Sequence, residues 1–271
     1  GSGSVAVGHQ ALYYQNFTSC TNAYNTSVGK NSGLNITTGT RNAILGTFAL
    51  DNEQAGGRSV AVGYSALGSQ RFTGATNVYN TAVGYEAGDD VTDGQYNTLI
   101  GGFAGDSMSS ADFNTAVGYK AGAVLTAGAY NVLIGHAAGD SITNGTNNIA
   151  LGVNALGTGN HGNSIAIGRD AIGNASSTNS IGVGTSAGRY STGGNNTLLG
   201  VESGTGANGA STFANTVAVG YQALTALTTG TSNTAVGYQA GLSLTTSTRN
   251  TAIGYQAGRP RSTHSTTVTA M

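Results

Sequence analysis

Short apolar runs alternate with polar, glycine-rich stretches along the chain, and the alternation has a period. The clearest unit is Asn-Thr-Ala-Val-Gly-Tyr-Gln-Ala-Gly at Asn233–Gly241. Asn250–Gly258 repeats it with Ile for Val, and Asn80–Gly88 and Asn114–Gly122 are near copies. With the fifth residue as marker, fifteen glycines fall in phase: Gly8, Gly29, Gly46, Gly63, Gly84, Gly101, Gly118, Gly135, Gly152, Gly168, Gly184, Gly200, Gly220, Gly237 and Gly254. The steps between them run from 16 to 21 residues, and eight of the fourteen are 17. Position 4 is always aliphatic, from Val7 to Ile253. Position 2 is Thr seven times and Val or Ile seven times, with Ala43 the exception. Position 8 is Ala thirteen times and Ser twice, at Ser32 and Ser203. Alternation of 2 and 4 against 3 and 5 is the period of a strand. The β-branched residues at 2 and 4 suit a pleated surface, and a constant Gly marks a bend or a close backbone approach.

The pattern predicts a short strand at positions 2–4, a second near positions 6–8, and turns over the Gly/Asn/Ser/Thr-rich remainder. Two steps of 17 make a 34-residue helical repeat length, but glycine at this density, among so much Thr and Asn, is hostile to helices. The fold expected is all-β: a left-handed parallel β-roll (β-solenoid) of about fifteen 16–21-residue coils over residues 1–258. At about 4.8 Å between strands such a stack would be roughly 70 Å long. The segment 259–271 departs from the repeat, and Pro260 ends the hydrogen-bond ladder. It reads as a C-terminal cap or a frayed tail leading into a further module.

Position 3 points opposite to 2 and 4 and is never charged. If 2 and 4 fill the coil, position 3 forms an external stripe of small apolar residues. That stripe holds Ala6, Ala61, Ala82, Leu99, Ala116, Leu133, Ala150, Ala166, Leu198, Ala218, Ala235 and Ala252, with Ile44. A stripe of that length is too large for a monomer surface, so these residues are expected to form the seam of an oligomer, packed against another copy; the alternative is that they lie under the turns of their own chain.

Composition narrows the function. Glycine is 45 of 271 residues, or 17%, against about 7% in average proteins. The net charge is −1 with ten Lys and Arg in all, no footprint for nucleic acid. No run of 18 apolar residues is present, so membrane insertion is not expected. One cysteine, Cys20, makes no internal disulfide. The chain begins Gly1-Ser2-Gly3-Ser4 without Met or an apolar signal, as an excised piece would.

The Ser-Val-Ala-Val-Gly units at Ser4–Gly8 and Ser59–Gly63, with Ser-Ile-Ala-Ile-Gly at Ser164–Gly168, resemble the head repeats of YadA-like trimeric autotransporter adhesins. The Asn-Thr-Ala-Val-Gly-Tyr-Gln-Ala-Gly form resembles related repeats of phage tail-fibre proteins. The resemblance covers about 95% of the chain. It implies three chains packed around an axis and an extracellular adhesive or fibre role. The expected function is a non-enzymatic segment of a phage tail fibre or receptor-binding protein that contacts a host surface, a glycan above all. The alternatives are a bacterial trimeric adhesin head, a purely structural extracellular filament and, remotely, an ice-binding solenoid. The repeats are longer than those of the adhesin heads, and no coiled-coil stalk, anchor or chaperone domain follows them here. The expected location is therefore extracellular, on a virion or a bacterial cell. The expected partners are further copies of the chain and a host glycan or protein.

Three coils carry insertions in one corner: Tyr13–Tyr24, Gly68–Tyr79 and Thr205–Asn215. Loops on a rigid scaffold are where binding is usually housed, and Tyr13, Tyr14, Phe17, Arg71, Phe72 and Phe213 are the candidate contact residues there. Two aromatic ladders follow the coil spacing. Tyr64, Tyr85, Tyr119, Tyr221, Tyr238 and Tyr255 follow the marker Gly; Tyr24, Tyr79, Tyr96, Phe113 and Tyr130 precede the repeat. Stacking within the roll is the expected role. The Thr column at position 2 has the form of an ice-binding array but is placed inside. Asp89 and Asp106 share a position in adjacent coils without the oxygen ligands that calcium needs. No metal, no cofactor and no catalytic residue is expected. His9 and His136 lie seven coils apart, His161, His264 and Cys20 have no fixed partner, and nothing pairs Asp170 or Glu202 with a second carboxylate.

Overall fold

The computed structural model describes residues 3–17, 22–174, 176–208 and 211–258. Cys20, His264, Pro260 and the rest of 259–271 lie outside the described residues, as do parts of the first and third insertion loops. The fold is all-β, with no helix among the described residues, and is a parallel β-solenoid of about 14 turns. The chain divides into two compact units, Gly1–Gly145 and Thr146–Met271. Each is a stack of coils.

Every coil contributes one three-residue strand at positions 2–4. The first unit runs from Val5–Val7 to Val132–Ile134, and the second from Ile149–Leu151 to Thr251–Ile253. Neighbouring strands pair in parallel without slippage: Thr98, Leu99 and Ile100 lie against Thr115, Ala116 and Val117. Ladder bonds continue past the strand, as from the Gly118 amide to the Ile100 carbonyl (2.8 Å).

Positions 6–8 form a tight corner instead of the expected second strand. The residue at position 7 is left-handed in all fifteen coils, from Gln10 (φ 57°) to Gln256 (φ 53°). Position 9 and the residue before position 1 are left-handed as well, as at Leu67 (φ 52°) and Tyr96 (φ 59°). Three left-handed corners per coil turn the chain back on itself, so strand pairing outside the main ladder is sparse, although backbone bonds to the next coil continue through the corners, as from the Phe103 amide to the Tyr85 carbonyl (2.9 Å). Gly56–Gly57 pairs with Thr76–Asn77 in the first unit, and single bridges such as Thr158 to Asn174 occur in the second.

The marker glycine is explained by stacking. Its φ lies between 121° and 149°, a region that residues with a Cβ avoid. A Cβ on Gly101 would also sit 2.5 Å from the carbonyl oxygen of Gly118, the marker of the next coil.

The facing of the strand is the reverse of the expectation. Position 3 points into the coil and positions 2 and 4 point out. Ala61, Ala82, Leu99, Ala116, Leu133, Ala150, Ala166, Leu198, Ala218, Ala235 and Ala252 are buried within their own units. They do not form an external stripe, and of the residues expected there only Ala6, in the first coil, is exposed. The reason is size. Position 3 shares the interior with the small residue at position 8, and where it carries Leu position 9 is Gly. Leu99 fills the space over Gly88 and Gly105, where an added Cβ would approach its methyl carbons to 2.6 Å. Where position 3 is Ala61, Ala150 or Ala218, position 9 is Leu67, Leu156 or Leu224, all buried. Most coils thus hold at most one large side chain at that level; the coil of Ile44 and Leu50, both buried, holds two.

Position 1, which shares the inward parity of position 3, carries a buried asparagine ladder. The Asn97 side-chain oxygen accepts from the Asn114 amide (2.9 Å), and the Asn97 Nδ2 donates to the Ala111 carbonyl (2.6 Å). Asn80, Asn114 and Asn131 repeat the pattern. Buried polar groups demand such partners, and each asparagine ties one coil to the next while closing its own.

Candidate functional site

The outward columns form a surface feature that recurs along each unit. Position 4 exposes an aliphatic side chain in coil after coil: Leu45 at 51%, Ile100 and Ile134 at 40%, Leu199 at 47%. Position 2 sets Thr, Val or Ile beside it, with Ala43 the exception, and no charged residue occurs in either column. Each unit thus shows a flat apolar face on the order of several hundred Å², the size at which a monomer surface becomes a contact surface.

Aromatic ladders flank this face. Before the strand, Tyr79, Tyr96, Phe113 and Tyr130 stack with centroids 4.8–5.5 Å apart and planes within 18°. After it, Tyr64 stacks on Tyr85 (5.4 Å), and in the second unit Tyr221, Tyr238 and Tyr255 stack in turn. Ring faces pressed on one another leave mainly edges for solvent, so within the ladders these rings hold coils together instead of offering platforms. The Arg58 guanidinium lies 5.2 Å over the Tyr79 ring and donates to its hydroxyl.

Among the insertion loops, Tyr13 and Tyr14 are exposed, with perpendicular rings 4.9 Å apart, and Phe17 is half-buried. Arg71 is exposed and Phe72 half-buried. Phe213 is fully buried in the core of the second unit and offers no contact surface.

A feature the sequence did not single out anchors the second loop. Glu53 is fully buried. Its Oε1 accepts from the amides of Gln54, Ala55, Gly56 and Phe72 at 2.7–3.1 Å, and its Oε2 accepts from the Gln70 Nε2 at 2.9 Å. Gln70 in turn accepts from the Asn80 side chain (2.9 Å). One carboxylate thus holds both sides of the insertion. In the second unit a similar device runs outside. The Gln256 amide donates to Gln239, Gln239 to Gln222, and Gln222 to the Glu202 carboxylate, at 2.7–2.9 Å.

No family model, curated protein or solved structure matches the chain.

The remaining chemistry gathers at position 10 of the first unit, where Asp51, Asp89, Asp106 and Asp140 form an interrupted column. Partial burial raises the carboxyl groups of Asp51, Asp89 and Asp106 to about 6, with neighbouring carboxylates adding to the effect at Asp89 and Asp106. Burial raises Asp140 as well. Between Asp106 and Asp140 the column is broken by Ala123, and a cleft of about 410 Å³ opens there. Its walls are Phe103, Ser107, Tyr119, Lys120 and Val124. Among the described residues no group of three or more His, Cys, Asp or Glu side chains is placed to hold a metal ion.

Of the other titratable groups, His136 is exposed and stacks on Tyr119 (5.5 Å), and His9 is exposed. His161 is buried. Its Nε2 lies 2.8 Å from the Thr158 carbonyl, and its Nδ1 3.2 Å from the Ser177 amide. Burial lowers its pKa. Asp170 lies 3.8 Å from Arg169 and 3.9 Å from Arg189, and Glu202 receives Gln222. Each of these carboxylates is thus engaged by a neighbour.

Proposed function

We propose that the chain is a non-enzymatic segment of an extracellular fibre, in which identical copies, three by the repeat resemblance, cover their position 2 and 4 columns against one another. The observation that carries this reading is the exposed aliphatic column at position 4. Burying apolar area at about 25 cal/mol per Å² makes such a face a strong drive to associate. Three parallel copies also triple the number of contact loops, which gains avidity on a host surface. Tyr13, Tyr14 and Arg71 are the loop residues exposed for that contact. A phage tail fibre or receptor-binding protein is the favoured setting, with a bacterial adhesin head or a structural filament as alternatives.

The test is absolute mass by light scattering after size exclusion. The expected value is about 80 kDa, three times the 26.8 kDa chain. Val117→Lys with Ile134→Lys, two outward residues of adjacent coils, should reduce it to one chain with the β signal retained. A wild-type monomer would overturn the reading.

One observation favours a second reading. The Thr column at position 2 faces outward, not inward as its sequence pattern suggested, and Thr81, Thr98 and Thr115 stand in register on consecutive coils. A regular, uncharged Thr array is the surface an ice-binding solenoid needs. The same columns cannot both pack against copies and face ice. A monomer that shows thermal hysteresis would therefore establish this reading in place of the fibre.

A further inference from the structure

The cleft around Ala123 lies beside the outward face, on positions 6, 7, 10 and 11 of its coils, so covering columns 2 and 4 does not require filling it. It arises from two local departures from the repeat. Position 6 of one coil is Gly102 where its neighbours carry Tyr85 and Tyr119, and position 10 of the next is Ala123 where its neighbours carry Asp106 and Asp140. Phe103 takes the place vacated in the ladder. It stands at 65° to the Tyr85 ring and 90° to Tyr119, so neither neighbour covers it by parallel stacking; Phe48, at the same position of another coil, likewise stands edge-on to Tyr64 at 86°.

The lining excludes most ligand classes. An anion would meet two carboxylates. A small cation would find two carboxylates opposed by the Lys120 ammonium, which lies 5.6 Å over the Tyr119 ring. A purely apolar ligand would leave the acids and Lys120 unpaired, which is costly once they are desolvated. What fits is an uncharged ligand with hydroxyls on its rim and C–H groups on its face. The volume, about 410 Å³, lies at the small end of the roughly 300–1,000 Å³ typical of ligand pockets. Asp106 and Asp140 are two coils apart, ~10 Å at the strand spacing. Hydrogen bonds of ~2.7 Å to each would leave roughly 5 Å between them, the breadth of one sugar ring.

We propose that this cleft binds a single uncharged pyranose unit of a glycan, with Phe103 against the ring's C–H face, Asp106 and Asp140 accepting from hydroxyls at its two ends, and Lys120 and Ser107 donating to its oxygens. The proposal rests on the host-surface reading for the source of the glycan. It moves the contact from the aromatic insertion loops to the side of the coils.

The test uses the full chain and saturation-transfer NMR with the methyl pyranosides of glucose, galactose, mannose and N-acetylglucosamine, and choline as a cationic probe. Transfer to at least one pyranoside is expected. Ala123→Leu, which fills the floor, should weaken it at least tenfold. Ala123→Asp, which restores the column as its neighbours carry it, should do the same while leaving the β circular-dichroism signal and the solution mass unchanged, so lost binding cannot be laid to misfolding. Asp106→Asn and Asp140→Asn should each weaken binding severalfold. No transfer to any pyranoside, transfer to choline alone, or binding unaffected by both Ala123 variants would overturn the proposal. The mass measurement is independent of it. A trimer with a silent cleft sinks the pocket and leaves the fibre standing, whereas a monomer that binds sugar does the opposite.

Discussion

Gly101 and Gly102 are adjacent, yet alanine should act on them in opposite ways. At Gly102 the new Cβ would lie 3.6 Å from the nearest atom, a carbon of the Tyr119 ring, in ordinary contact. Replacing glycine at a compatible backbone stabilises by about 0.4–1 kcal/mol through the unfolded chain. At Gly101 two costs add. A φ of 132° imposes strain of about 1–3 kcal/mol on a residue with a Cβ. The Cβ would also sit 2.5 Å from the Gly118 carbonyl oxygen and 2.7 Å from its carbon. Relief to ordinary contact needs a shift of roughly 0.9 Å, which would stretch the 2.8 Å bond from the Gly118 amide to the Ile100 carbonyl beyond hydrogen-bond reach. An orphaned buried backbone group costs about 1–3 kcal/mol. The total is about 2–6 kcal/mol, a fall in melting temperature of at least about 5 °C for a unit of this size. Gly254→Ala separates the two terms, because its φ is 121° but no atom of the described residues lies within 4 Å of the added atom; only strain should register. Thermal unfolding by circular dichroism reads all three variants. If Gly101→Ala costs no more than Gly254→Ala, stacking is not the reason for the repeated glycine.

Other perturbations follow from the same coordinates. Leu99→Ala should cost about 2–5 kcal/mol by opening a cavity, and adding Gly105→Leu should recover part of it by copying the Ala61–Leu67 arrangement; denaturant titration would show whether the levels compensate. Glu53→Gln turns an amide N–H₂ toward backbone donors and should destabilise by about 2–4 kcal/mol, with amide exchange over residues 68–79 rising first. The acidic column should make the first unit lose stability as pH rises. Asp51, Asp89 and Asp106 bind protons more tightly folded (about 6) than unfolded (3.8), so their contribution is present at pH 4 and gone above about 6. Changing all three to Asn should flatten the melting temperature over that window. His161 acts with the opposite sign: its lowered folded pKa means stability is present above 6.5 and lost as pH falls below it, a dependence that His161→Gln should abolish.

The coil count, the strand at positions 2–4 and the register were all legible, because a ladder of like residues in phase admits few other folds. The facing of the strand was not. A period of two says which residues share a side and leaves open which side is inside, and the usual preference for β-branched cores pointed the wrong way. Two readable signs opposed it. Position 1 keeps the parity of position 3 and is Asn in ten of fifteen coils and Ser or Thr in the rest, a polar column that needs partners, and the trade between Leu99 and Gly105, or Ala61 and Leu67, records shared space. The left-handed corners were legible only in part: Gly at position 9, as at Gly88 and Gly105, and Asn before position 1, as at Asn163 and Asn179, favour that conformation, whereas Gln10, Lys120 and Tyr96 do not, and there the neighbouring coil imposes it. Of the candidate contacts, Phe213 misled because an aromatic in a loop carries no mark of its burial. The cleft was half visible in the break of the Asp column at Ala123, but the turned ring of Phe103 was not.

Those corners govern how the molecule is made. Each costs a residue with a Cβ about 1–2 kcal/mol, and a coil has three, most of them not glycine. A lone coil therefore has no reason to exist, and its ladder bonds appear only when a finished coil lies beside it. Growth should start slowly, from a rare cluster of several coils, and then advance one layer at a time from an existing edge. Loss should run by the same route in reverse. A chain built this way would be slow to assemble and slow to come apart, with persistence set by the barrier at its ends more than by the depth of its equilibrium.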